Sequence, residues 1–287
     1  MPSTRDIRRR IRGVKNIKQV TRAMNMIAAA RLRRGQSKAE SARPYAERLR
    51  EILQDVLAGG VGARHPLLVK RGVKRVGVVL ITSDRGLCGG FNAAIIREAA
   101  QLIAEQTAEV GLLTVGKKGR DHFRARGAVI DQHFAQPSRE VKLEEVGAIT
   151  KRVIADYTTA RYDQVYLVFA SFVSVLKSQP TALQLLPLEK PSAQTKQERA
   201  SYQFEPQAEV LLDTLLPQYV EVLIYRALVE SLASEQAARM VAMKAATDSA
   251  SDMIDQLSRQ YNRARQGSIT TQILEVVSGA EALEQSE

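Results

Sequence analysis

Apolar residues near the start of the chain recur at steps of three and four: Ile7, Ile11, Val14, Ile17, Val20, Met24 and Ile27. That spacing lines one side of a helix and predicts a coiled-coil helix over 4–58, packed along its length on a partner. Ala28, Ala29 and Ala30 follow and permit close backbone approach. Gly35 and Pro44 interrupt the pattern, so a bend is expected near Pro44 before Leu49, Ile52, Leu53 and Val56 resume it.

The C-terminal stretch 208–284 has the same character. After Pro217, read as a first-turn residue, come Val222, Leu223, Val229, Leu232, Met240, Met243, Ala246, Ala250, Met253, Leu257, Tyr261 and Ala264. Met240, Met243 and Met253 read as core. Alanines and serines crowd the middle and favour tight helix contact. The tail turns apolar at Ile269, Ile273, Leu274, Val276 and Val277, with Gly279 a candidate stop and fraying allowed to Leu283. An apolar helix tip with no domain of its own to bury it requires a partner.

Between the two helices the period changes. Arg75–Asp84 is a β-branched run suited to a strand buried on both faces, followed by the turn Gly86-Leu-Cys-Gly89-Gly90 and a helix over Phe91–Ala108. A strand at Val110–Val115, a helix at Lys117–Ala125, a strand at Val129–Phe134, a helix at Val141–Tyr157 and a strand at Gln164–Ser171 come next, with extended pieces to Leu188. Such alternation predicts an open sheet with helices on both faces. The expected fold is therefore α/β: a long antiparallel coiled coil of N- and C-terminal helices plus a central Rossmann-like lobe. The expected divisions are 1–60 (first helix), 70–190 (lobe), 189–207 (loop) and 208–287 (last helix), with polar Glu189–Ala200 flexible.

Charge sharpens this picture. The net charge is +11, and residues 1–34 hold eleven Arg and Lys against the single acid Asp6. The first helix is thus a basic stripe that attracts an acidic surface. The single cysteine, Cys88, rules out an internal disulfide or a CxxC site and suits a reducing compartment. No run of 18 apolar residues predicts a transmembrane helix, and the basic start lacks the features of a secretion signal.

Candidate chemistry is sparse. Gly111–Lys117 copies the first seven positions of a phosphate-binding loop, but Lys118 stands where a Ser or Thr must hold magnesium, and Leu112–Val115 reads as strand. The glycine turn 86–90 is not GxGxxG, and tight-turn backbone freedom accounts for it. His65, His122 and His133 are scattered without metal-ligand spacing. Cys88 at a helix start could form a thiolate nucleophile, or be a buried structural residue. The expectation is no catalytic residue, no cofactor and no metal.

Ile17–Arg34, Ser83–Asn92, Ser231–Asp248 and Tyr261–Leu283 resemble, in order and across the chain, the gamma subunit of rotary (F-type) ATP synthase. The resemblance implies a central rotor shaft, itself non-catalytic, that transmits torque between a membrane ion-driven ring and the alpha/beta catalytic ring. The implied partners are the alpha and beta subunits, the epsilon subunit and the membrane c-ring. Arg265, Gln266 and Thr270 match positions that contact a beta-subunit loop, and Met24 matches one near the moving beta-subunit lever. Phe204 and Glu205 fall at the foot, near epsilon and the membrane ring. Glu189–Gln203 lacks the cysteine pair of chloroplast-type relatives, which points to a bacterial protein held peripherally on the cytoplasmic face of the inner membrane.

Two rivals remain. A nucleic-acid-binding coil would interleave aromatic or base-reading side chains with its basic ones, yet residues 1–34 hold no aromatic. A nucleotide-dependent enzyme would need a complete phosphate motif in the lobe. The expectation is no nucleic-acid partner.

Overall fold

The computed structural model describes residues 3–58, 65–137, 141–188 and 207–284. Phe204, Glu205 and the loop expected at Glu189–Ala200 lie outside the described residues. The elements, in order, are α1 (Thr4–Ala58), β1 (Arg75–Ile81), α2 (Phe91–Glu105), β2 (Glu109–Val115), α3 (Lys117–Arg124), β3 (Ile130–Phe134), α4 (Leu143–Thr158), β4 (Gln164–Phe172), β5 (Ser178–Leu186) and α5 (Ala208–Glu284). They group into two compact units: Met1–Ile27 with Met240–Glu287, and Ala28–Arg239.

The second unit is built on a five-stranded sheet in the order β3-β2-β1-β4-β5. β1 pairs parallel with β2 and β4, β2 pairs parallel with β3, and β5 closes one edge antiparallel to β4. Period-two alternation along β1 explains the layers. Val76, Val78 and Leu80 face α2 and α3 through Phe91, Ile95, Ala99 and Phe123. Val79 and Ile81 face the opposite core, which Val146, Ile149 and Val153 of α4, Leu212, Leu216, Val220 and Ile224 of α5, and Leu49, Leu53 and Val56 of α1 complete.

Two prolines behave differently from expectation. α1 runs through Pro44, and Pro217 lies inside α5 rather than in a first turn. An interior proline removes one hydrogen bond, costing about 3 kcal/mol in an isolated helix. Around Pro217 the burial of Leu212, Leu216 and Val220 against the sheet offsets that loss. Nor does Gly279 stop α5, which continues to Glu284.

Gly111, the first residue of the phosphate-loop lookalike, is a strand residue of β2. A Cβ there would collide with Asp131 and Tyr162, and one at Gly77 would lie 2.8 Å from the Tyr162 ring. Glycine is required in both strands because Tyr162 crosses them to donate its hydroxyl to Asp131. Asp131 also binds Arg161 at 2.6 Å, with Arg75 at 3.8 Å. Burial works to raise the Asp131 pKa, but the Tyr162 and Arg161 hydrogen bonds outweigh it and hold the carboxyl below its ordinary value.

Asp131→Asn is expected to cost about 1–2 kcal/mol, because both guanidiniums are roughly a third exposed and solvent screens them. The folded carboxyl titrates below its unfolded value, so its contribution is full above pH of about 4 and fades as pH falls through the folded value. The thermal midpoint should therefore drop at neutral pH, with the deficit shrinking in acid.

Candidate functional site

In the terminal unit, α1 and α5 meet along a strict heptad seam. On α1 Thr4, Ile7, Ile11, Val14, Lys18, Thr21 and Asn25 have reduced exposure at alternating steps of three and four, and Met24 beside Asn25 is half-buried as well. On α5 they include Met240, Met243, Thr247, Ala250, Ile254, Leu257, Tyr261 and Ala264, at the same alternation. This 3.5-residue repeat is the geometry of a left-handed coiled coil. The partners run antiparallel: Arg8 donates to the Tyr261 hydroxyl, Thr21 Oγ1 lies 2.8 Å from Thr247 Oγ1, and Asn25 Nδ2 donates to the Met240 carbonyl at 2.8 Å.

That seam corrects the sequence reading. Ile7, Ile11 and Val14 are in it and Met24 is half-buried at its edge, but Ile17, Val20 and Ile27 are exposed. They drop out because a run of three-residue steps drifts around the helix, while a supercoiled pair keeps to alternating threes and fours. Met253, read as core, is 50% exposed because Ile254 beside it takes the heptad position. The polar Lys18, Thr21 and Asn25 were missed; their signal was the unbroken heptad count from Ile7 to Ala28, not their hydropathy.

Beyond Ala264 the graded burial stops. From Arg265 to Ser278 every side chain is exposed, including Arg265, Gln266, Thr270, Ile269, Ile273, Leu274, Val276 and Val277. Thr270 Oγ1 donates back to the Gln266 carbonyl at 3.0 Å, which ties two of the expected contact residues to one turn. Of the α1 basic residues whose burial is described, Lys18, Arg31 and Lys38 are half-buried and the others are exposed. Met24 and the 265–270 group both belong to this terminal unit, on different helices.

In the lobe, the place where a doubly wound sheet takes a ligand is the crevice beyond the carboxyl ends of β1 and β4. Here α5 occupies it. Ser234 Oγ donates to the Ala170 carbonyl at 3.4 Å, Ser171 Oγ donates to Glu230 at 2.8 Å, and Arg239 donates to the Gly86 carbonyl at 3.2 Å. Arg239 also pairs with buried Glu235 at 2.7 Å, and Gln136 Nε2 donates to that same carboxylate. Gln136 Oε1 in turn accepts from the Asp84 backbone N–H at 2.9 Å. The glycine turn is braced from within by Ser83 and Asn92, whose side chains hydrogen-bond at 2.7 Å.

Cys88 lies behind this turn, buried, and burial pushes its thiol up, away from the thiolate a nucleophile needs. At the tip, Leu87 is exposed with φ of 62°, a strained setting for a non-glycine residue that sequence reading did not single out. The histidines serve separate local bonds: His65 with Asp213, His122 with Arg126 and His133 with Thr114. Among the described residues no three His, Cys, Asp or Glu side chains are grouped to hold a metal ion, and no helix is long and apolar enough to cross a membrane.

Comparison with known proteins decides the family. The family model described as ATP synthase matches residues 3–283. A chain from Pelotomaculum thermopropionicum named ATP synthase gamma chain is 48% identical over 284 residues, covering 99% of this chain and all of the relative. The chain belongs to the ATP synthase gamma family. A second gamma chain, from Chloroflexus aurantiacus, is 42% identical over 289 residues and covers 99% of both chains. Among solved structures, the central stalk/c-ring of the Tetrahymena thermophila mitochondrial ATP synthase matches with TM-score 0.61 and 30% identity, over 79% of this chain and 99% of that one. A chain of the Euglena gracilis mitochondrial enzyme shares the fold, with TM-score 0.68 and 18% identity, over 98% of this chain and 94% of that one.

Ala250 is a buried seam residue, so Ala250→Trp should overpack the coil and cost about 1–3 kcal/mol. Thermal unfolding followed by circular dichroism reads the loss. Trp at the exposed neighbour Ser249 should leave the midpoint unchanged.

Proposed function

We propose that this chain is the central rotor shaft of an F-type ATP synthase, transmitting torque between the membrane ion-driven ring and the alpha/beta catalytic ring in ATP synthesis or hydrolysis. The observation that carries this reading is the exposed helix Arg265–Ser278 at the end of a heptad-paired coil, in a chain related along its full length to gamma chains. A single helix turn-stack with Ile269, Ile273, Leu274, Val276 and Val277 on its surface is unstable in water by itself. Inside a sleeve of ring subunits those side chains make non-directional contacts, which hold the tip centred and let it turn.

Angular preference needs directional groups. Arg265, Gln266 and Thr270 supply charge and hydrogen bonds just below the tip and are assigned here to a beta-subunit contact. On α1, Met24 lies in the stripe Ile17, Val20, Met24 and Ile27, flanked by exposed Lys15, Arg22, Arg33 and Arg34. An apolar stripe bordered by basic residues fits an acidic, partly apolar lever of the beta subunit, with the charges setting encounter and register. Phe204 and Glu205 are assigned to the foot, toward epsilon and the c-ring.

The chain itself is non-catalytic in this account. The lobe crevice is filled by Ser234, Glu235 and Arg239 of α5, and nucleotide chemistry belongs to the ring subunits. Attachment to the membrane is peripheral, through the complex, on the cytoplasmic face of a bacterial inner membrane.

Reconstitution with cognate alpha and beta subunits tests the reading. The chain should join the ring and raise its ATPase activity, and Val20→Cys should be shielded from maleimide in the complex but not in the free chain. Equal labelling in both states would remove the α1 stripe from the contact surface. Arg265→Ala with Gln266→Ala should lower turnover by about tenfold, a loss of about 1.4 kcal/mol of transition-state stabilisation, with nucleotide binding by the ring unchanged.

A further inference from the structure

Within the unit Ala28–Arg239, α1 is anchored at two places and unsupported between them. Ala28 and Leu32 are buried, and a Cβ on Gly35 would lie 3.6 Å from the Ala233 Cβ of α5, which marks a close helix crossing. Leu49, Leu53 and Val56 are buried in the sheet core. Between Leu32 and Leu49, about 25 Å of helix, no α1 side chain among the described residues is buried. A cleft of about 370 Å³ separates Ala46, Glu47 and Arg50 of α1 from Tyr219, Leu223 and Arg226 of α5. The span also carries two defects in its hydrogen-bond ladder. Pro44 has no N–H to give the Glu40 carbonyl, and Ser41 Oγ donates to the Lys38 carbonyl at 3.0 Å, a contact that competes with the backbone ladder. Pro44 and Tyr45 are exposed, so no burial offsets this proline as it does Pro217. α5 is held differently. From Leu212 to Arg239 it buries a residue at every turn, and Glu230, Ser234, Glu235 and Arg239 hydrogen-bond to the lobe.

We propose that residues 36–48 of α1 form a soft joint, which bends and opens locally while the anchors on either side stay closed, and that α5 alone carries load past it. The inference deepens the rotor reading, because it names the helix through which torque enters the lobe. Two helices tied rigidly along their whole length bend only by sliding past one another, and a close-packed core transmits that strain. A soft span in one helix takes up the mismatch. α1 can then follow a bend of α5 without drawing Leu49, Leu53 and Val56 out of the sheet core. Few buried contacts and an incomplete ladder are the features that place a segment at the low end of local stability.

Hydrogen exchange read by mass spectrometry on the full chain tests the joint. Amides of 36–48 should exchange at least about tenfold faster than those of 28–35 and 49–57. Pro44→Ala, which restores the missing donor, should slow exchange in the span by about tenfold and leave both anchors unchanged. Glu40→Gly with Ser41→Gly, at two exposed positions, should speed it by about tenfold. Protection in the span equal to that of the anchors overturns the joint. The load path is tested in the assembled complex, where the Glu40→Gly/Ser41→Gly variant should turn against the same stalling load as the parent. A lower stalling load in the softened variant shows that α1 carries torque through the span and overturns the assignment to α5. A parent complex that does not turn contradicts the rotor reading instead, and the exchange pattern then decides the joint by itself.

Discussion

Two long helices stay in contact only where their facing residues return every 3.5 positions, and that constraint decides which side chains this chain can present to anything else. Along α1 the heptad count claims Ile7, Ile11 and Val14, then continues through Lys18, Thr21 and Asn25 without regard to hydropathy. The apolar residues it leaves out become surface. The same count on α5 claims Ala250 and Ile254 and leaves Met253 exposed. Partner-facing chemistry in the terminal unit is thus the remainder after the seam has been satisfied.

The lobe applies a different constraint to the same helix. Doubly wound sheets leave an opening at the strand ends where the topology reverses, and here α5 fills it with Ser234, Glu235 and Arg239, all bonded to the lobe or to one another. A fold often used to hold a nucleotide is used to grip a helix. The buried Glu235–Arg239 pair is satisfied on both sides, by Gln136 and by the Gly86 carbonyl, so neither charge is left uncompensated. For a part that carries torque, a directional polar grip resists slippage in a way that apolar packing does not.

Most of the fold was legible because its signals are periodic. β1 announced itself by a β-branched run, and the glycine turn with Phe91 marked the start of α2. The prolines misled because propensity is local, whereas the burial that carries α5 through Pro217 is tertiary. The outward stripe of α1 was misread because isoleucine and valine looked like core, and only a strict heptad count separates seam from surface. Thr21 and Asn25 were illegible as contacts, since their meaning depends on Thr247 and the Met240 carbonyl more than 200 residues away. Cys88 was legible as an alternative between thiolate and core, and its burial selects core.

Rotation is the central claim, and it can be watched. With the alpha/beta ring fixed to a surface and a probe attached at Leu176→Cys, which is 86% exposed, ATP should drive the probe in one direction in steps of a third of a turn. A stable, ATP-hydrolysing complex in which the probe stays still, or only fluctuates without direction, would contradict the account.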